Sequence, residues 1–258
     1  MNGKFIVTLV VVLLCVAATI IGVMMVDEPS ETLVITESQT ESDNSEGTEE
    51  NKTTEEEKPA EEILDEDLTD TWELLLANPD NPLPEDFTVE TAAVQGDFMM
   101  DARVADVMKQ MIADAKEDGV DLMVCSAYRS ISRQQELFDA EVAVQMANGK
   151  SKEEAEAVTA TMIAVPGTSE HHTGLAADIV TPTHQTLDPE FADTDAGKWL
   201  QEHAVEYGFI LRYPEDKQDI TQIIYESWHY RYVGVEHAKA ITEQGLCLEE
   251  YLEQLRGE

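Results

Sequence analysis

One aspartate constrains this chain more than any other residue. Residues 175–180 read LAADIV, a short apolar run of the kind that forms a buried strand, and Asp178 stands inside it. A carboxylate taken out of water costs several kcal/mol or more unless hydrogen bonds, a counter-charge or a metal compensate it. Any fold of this chain has to bring something to Asp178. His171 and His172 lie just upstream, in a polar loop bounded by Gly167 and Gly174. A histidine from such a loop and an aspartate from the adjoining strand can converge on one ion. The residues alone also allow an Asp178 hydrogen-bonded to loop amides, with His171 exposed.

A second cluster adds to this. Tyr225-Glu226-Ser227-Trp228-His229-Tyr230 sets a carboxylate and an imidazole three positions apart in an aromatic-rich run that reads as strand. In a straight strand they face opposite sides, so serving one site requires a bend or bulge between them. A catalytic zinc takes three protein ligands and keeps one position open. His171, Asp178 and His229 would supply two nitrogens and a carboxylate, leaving Glu226 as general base. A third element is Arg129, in Ser126-Ala127-Tyr128-Arg129-Ser130 after an apolar strand. Its guanidinium suits a substrate carboxylate or a developing oxyanion, or simply one of the many acids nearby.

Composition bounds what such a site can serve. The chain has 16 Lys and Arg against 54 Asp and Glu, a formal net charge of −38, which excludes a phosphate-tracking nucleic-acid partner. Three cysteines exclude a disulfide scaffold. Cys125 and Cys247 are left to pair or to remain thiols. Residues 5–26 are an uncharged apolar run long enough to span a bilayer. The run continues past Ala17 and Ala18, favouring an uncleaved signal anchor over a cleaved signal peptide. Lys4 before it and Asp27 and Glu28 after it put the N-terminus inside and the remainder outside the cell. Residues 27–70 carry 18 acidic side chains against Lys52 and Lys58, with no aromatic, and read as an extended, disordered acidic tether. The expected organisation is anchor 1–26, tether 27–70 and one globular domain 71–258.

Within 71–258, helices are expected over 101–118, 132–147, 151–165, 196–207, 235–244 and 248–255. Ser132 with Gln135 and Ser151 with Glu154 have the spacing of capping boxes. Strands are expected over 122–127, 175–180, 209–213 and 223–233. Helices come first and the later strands are largely consecutive, which fits an α+β fold.

Taken together, the three clusters resemble a known family. Ser169-Glu170-His171-His172-Thr173-Gly174-Leu175-Ala176-Ala177-Asp178 is similar to the S-x-H-x-x-G-x-A-x-D pattern of VanY-type D-alanyl-D-alanine carboxypeptidases, LAS-type zinc peptidases. Glu226-Ser227-Trp228-His229 resembles the family's E-x-W-H signature. Ser126 to Ser130, with Gln134 and Gln135 following, resembles its S-x-Y-R-S…Q-Q segment, and Asn81 to Asp86 resembles the entry to the domain. The resemblance implies a small antiparallel sheet carrying a zinc site, flanked by helices. It places His171, Asp178 and His229 as zinc ligands, Glu226 as catalytic base and Arg129 as stabiliser of the transition state. Ser169, Arg129 and Gln135 would touch substrate, and His172 fills a variable position. The implied substrate is a peptidoglycan stem peptide ending in D-Ala, cleaved outside the plasma membrane. Two rivals remain: an L,D-carboxypeptidase of the same fold trimming tetrapeptide stems, and a non-catalytic zinc-stabilised wall-binding domain. The presence of both Glu226 and Arg129 weighs against the second.

Overall fold

The computed structural model describes residues 71–257, so the expected anchor and tether lie outside the described residues. Among the described residues no helix is long and apolar enough to cross a membrane. After a 3₁₀ turn, Trp72–Leu74, the described residues form a hairpin, β1 (Thr91–Gln95) and β2 (Phe98–Asp101), followed by α1 (Ala105–Glu117) and β3 (Met123–Ser126). Two helices come next, α2 (Ile131–Ala147) and α3 (Lys152–Ala160), and a 3₁₀ turn, Glu170–Thr173, leads into β4 (Ala176–Val180). Then come α4 (Asp195–His203), β5 (Phe209–Leu211), the short α5 (Gln218–Thr221), β6 (His229–Tyr232), α6 (Val235–Gln244) and α7 (Leu248–Arg256). The architecture is α+β, with two small antiparallel sheets and packed helices.

The larger sheet has the order β3-β4-β6-β5, all pairs antiparallel, so β4 lies inside it. All five β4 residues are buried, which is why the run reads as nearly continuous apolar sequence. Alternation along strands sorts the residues onto two faces. Ala177, Ile179 and Tyr230 join α1 residues Met108 and Met111 in the main core. Ile179, Met108 and Met111 each contribute about 1.5–3 kcal/mol by leaving water. The register sets Ser126 beside Asp178 and Asp178 beside His229 on the other face. A second core joins Ile210 and Val233 to Ile241 of α6 and Leu248 and Leu252 of α7.

Several sequence expectations shift. The cap of α2 is Ser130, whose hydroxyl accepts from Arg133 N–H at 3.1 Å, so the helix starts before Ser132. The Ser151–Glu154 capping box forms as expected, but α3 ends at Ala160 rather than near 165. The β1–β2 hairpin was not anticipated, although Gly96, at φ 56°, supplies the left-handed residue its turn requires. Residues 223–228 are not strand. Their amides go elsewhere: Ile224 N–H to the Thr161 carbonyl at 2.9 Å and Glu226 N–H to the Tyr213 carbonyl at 3.1 Å. Cys125 and Cys247 are not joined by a disulfide. The Cys125 thiol donates to the Asp178 carbonyl at 3.4 Å.

Candidate metal centre

Asp178 is held at the centre of the sheet and His229 at the start of the neighbouring β6, directly across the pair. His171 comes from the 3₁₀ turn that precedes β4. Ser169 caps that turn, its hydroxyl accepting from His171 N–H at 3.3 Å. Gly174 ends it at φ 70°, with its carbonyl accepting from Asp101 N–H at 2.9 Å. A Cβ at Gly174 would lie 2.7 Å from that Asp101 nitrogen, so the close approach to the hairpin requires glycine.

The loop and the sheet bring three donors together. One ligand atom each from His171, Asp178 and His229 lie within 4.8 Å of one another, and all three residues are buried. His171 Nε2 is 3.3 Å from Asp178 Oδ2, and His229 Nδ1 is 2.9 Å from Asp178 Oδ1. The two rings meet edge to face. His171 Nδ1 donates to the Ala127 carbonyl at 2.7 Å, which fixes the tautomer and leaves Nε2 open to a cation. Burial and the neighbouring Arg129 push the His171 imidazole down to about 4. Burial opposes charge on His229, yet its bond to Asp178 and the Glu170 carboxylate facing it raise it to about 9. Asp178 is held well below the usual carboxylate range despite its burial, because His171 and His229 face it. Two imidazoles and a carboxylate in this arrangement fit a zinc ion with one position open.

Glu226 borders the cluster. The expected bend between Glu226 and His229 is a turn in which His229 N–H donates to the Glu226 carbonyl at 3.2 Å. That turn sets Glu226 Oε2 3.6 Å from His229 Nδ1. Burial, with the Asp178 carboxylate adding to it, pushes the Glu226 carboxyl up to about 8. Arg129 stands on the other side, its Nη2 3.6 Å from Asp178 Oδ2 and donating to Ser126 Oγ at 2.7 Å.

Not every expected residue faces this centre. Gln135 is exposed, and its amide donates to Asp139 at 2.8 Å. Its neighbour Gln134 is the buried one and accepts from Arg129 Nη1 at 2.7 Å. The reason is the helix start: one residue along an α-helix turns the side chain by about 100°. His172, outside the expected ligand set, braces two loops. Its Nδ1 donates to the Arg129 carbonyl at 2.6 Å, and its Nε2 accepts from Gly167 N–H at 3.1 Å. Sequence reading also passed over Glu170, Arg212 and Arg231, whose side chains are fully buried beside His229. The available signal was alternation, since Arg231 follows His229 by two positions on one strand face.

A model of the family described as VanY: D-alanyl-D-alanine carboxypeptidase matches residues 97–235. The chain is 43% identical over 182 residues to the D-alanyl-D-alanine carboxypeptidase of Enterococcus faecalis (strain ATCC 700802 / V583). That match covers 70% of this chain and 66% of the relative, so the chain spans just under two thirds of the relative's length. The structure of VanYB in complex with D-alanine-D-alanine is 42% identical, with a TM-score of 0.66, covering 71% of this chain and 98% of that one. A mutant of the vancomycin resistance D,D-pentapeptidase VanY from a VanB-type resistance cassette, in complex with Zn(II), is also 42% identical. Its TM-score is 0.65, over 70% of this chain and 99% of that one. The family match takes in more than half of the sequence and all of the donor cluster, and the chain belongs to the VanY family of D-alanyl-D-alanine carboxypeptidases.

Proposed function

We propose that this chain is a zinc-dependent D-alanyl-D-alanine carboxypeptidase that removes the C-terminal D-Ala from peptidoglycan stem peptides. The observation that carries the reading is the cluster of His171, Asp178 and His229 donors within 4.8 Å, bordered by Glu226 and Arg129. His171, Asp178 and His229 would hold the ion. When bound, zinc supplies a water of lowered pKa and polarises the scissile carbonyl.

The chain's own residues do the rest. Glu226 is buried beside the donors without being one of them. It accepts a proton from the attacking water and delivers it to the leaving amine. Arg129 is fixed by Gln134 and Ser126, and its guanidinium stabilises the negative charge that develops on the carbonyl oxygen. The Asp178 carboxylate 3.6 Å away keeps that cation in place. Ser169 caps the turn bearing His171, its hydroxyl holding the His171 N–H, and so helps fix where that ring stands.

The apolar run 5–26 and the acidic segment 27–70 would tether the domain outside the plasma membrane, close to the wall it trims. The chemistry resides in the folded part, so a chain starting at Thr71 keeps its turnover on soluble peptide. The test of the function is zinc content together with hydrolysis of two stem peptides. Release of D-Ala from a D-Ala-D-Ala-terminated pentapeptide supports the reading. Release only from the tetrapeptide makes the protein an L,D-carboxypeptidase. Bound zinc with neither activity leaves a wall-binding domain.

A further inference from the structure

The two histidines of the cluster present different ring atoms to it, and only one of them has its outward nitrogen satisfied. His171 turns Nε2 inward, and its Nδ1 proton rests on the Ala127 carbonyl at 2.7 Å. His229 turns Nδ1 inward, 2.9 Å from Asp178 Oδ1. To offer a lone pair there, neutral His229 has to carry its proton on Nε2. His229 Nε2 is buried without a hydrogen-bond partner, and so is Glu170 Oε2. These two complementary atoms face each other at 3.7 Å.

Glu170 is fixed for that task. Its other oxygen, Oε1, accepts from Arg212 Nε at 2.7 Å and from Arg231 Nη1 at 2.8 Å. Arg212 is gripped in turn by both oxygens of Glu249, at 2.8 and 2.6 Å. Arg231 Nη2 donates to the carbonyls of Glu73 and Leu75 at 2.9 and 2.8 Å. Such buried ion clusters are weak sources of stability, because well-packed apolar side chains of equal volume often do as well. What the cluster does supply is a carboxylate oxygen held ionised and aimed at one imidazole nitrogen.

We propose that Glu170 is a positioning residue of the metal centre: its Oε2 accepts the His229 Nε2 proton and so keeps Nδ1 free to bind zinc. The inference rests on the zinc reading above. The decisive variant is Glu170→Gln. A glutamine can keep its oxygen on the two arginines, but it then turns an amide donor toward His229 Nε2. The ring proton moves to Nδ1, the atom that has to face the ion. The matched variant is Asp101→Asn, which alters another buried, arginine-paired carboxylate that touches neither histidine ring.

Zinc affinity is measured by competition with a chromophoric chelator, beside thermal unfolding of the metal-free proteins. Loss of an outer carboxylate of this kind typically weakens metal binding about 10–100-fold. That loss is expected for Glu170→Gln, while Asp101→Asn lowers the melting temperature and leaves zinc affinity unchanged. Wild-type affinity in Glu170→Gln, or an equal loss in Asp101→Asn, overturns the proposal. A second measurement needs no variant, should Glu170→Gln fail to fold. In the zinc-loaded wild-type protein with ¹⁵N-labelled histidine, His229 is expected in the Nε2–H form with a slowly exchanging proton. An Nδ1–H form overturns the proposal equally. A wild-type protein that binds no zinc defeats the proposed function itself, whereas normal zinc binding and turnover in Glu170→Gln defeats only this inference.

Discussion

Gln134 anchors Arg129: its Oε1 accepts from Arg129 Nη1 at 2.7 Å while its own amide donates to the Ala164 carbonyl, also at 2.7 Å. The guanidinium is therefore tied, through one buried side chain, to the segment that leaves α3. Gln134→Ala frees the guanidinium to move. Misplacing a catalytic group by about 1 Å can cost on the order of 10²-fold, so kcat is expected to fall by roughly 10–100-fold with KM changing less. Gln135→Ala, on the solvent side, is expected to leave both constants unchanged. Steady-state kinetics of the two neighbours decides the point, and equal effects would remove Gln134 from the Arg129 support.

Glu226 and His229 are separated by three positions but by role, and substitution distinguishes them. Glu226→Gln keeps the shape of the side chain and cannot take a proton. Turnover is expected to fall by about 10²–10⁴-fold with zinc still bound. His229→Ala is expected to lose zinc itself. Metal analysis beside rate measurement tests both. Zinc lost from Glu226→Gln would make that residue a ligand, and near-normal turnover would sink the assigned mechanism.

Removal of the metal by a chelator is expected to abolish activity and to leave the domain folded. The sheet is held by its own cores, and Asp178 keeps His229 at 2.9 Å and Arg129 at 3.6 Å as compensating partners. Zinc added back restores activity and raises the melting temperature in a concentration-dependent way. Unfolding on chelation, followed by circular dichroism, would instead make the ion part of the fold. Asp178→Ala differs from chelation: it is expected to lower zinc occupancy and stability together, since it removes the partner of both histidines.

The buried ion cluster gives the fold an acid limit. Despite burial, Arg212 holds the Glu249 carboxyl below its ordinary value, and Arg212 and Arg231 hold Glu170 lower still. A carboxylate depressed in the folded state stabilises it fully above the unfolded pKa, about 4.3 for Glu, and loses that contribution as pH falls toward the folded value. Melting temperature of the metal-free protein is thus expected to drop below about pH 4.3, and Glu249→Gln is expected to flatten part of that slope while lowering stability at neutral pH. A parallel, undiminished slope in Glu249→Gln would exclude Glu249 as a contributor.

Three residues of the site, Asp178, Glu226 and His229, were legible because each breaks a local rule. Asp178 is a charge in an apolar strand, and Glu226 and His229 interrupt an aromatic run. Gln134 and Gln135 were not separable in that way. Both are polar and adjacent, and which one faces inward depends on whether α2 is capped by Ser130 or Ser132. Residues 223–228 carry β-branched and aromatic side chains, yet their amides find single carbonyls on Thr161 and Tyr213 rather than a neighbouring strand. Propensity describes a strand there, and tertiary partners decide against it. Glu170, inside the same motif as His171 and Asp178, gives no such signal, because its partners Arg212 and Arg231 lie 42 and 61 residues further on.

That spacing bears on when the protein acquires its ion. Asp178 and His229 are 51 residues apart, and Glu249, which clamps Arg212, lies 37 residues beyond that arginine. During synthesis from the N-terminus, the first imidazole and the carboxylate emerge well before the strand that bears the second imidazole. The two early donors alone form an incomplete site, and the outer charges that fix the third arrive with the last helix. The complete donor set with its outer charges therefore exists only once every residue from 170 to 249 has been made and folded.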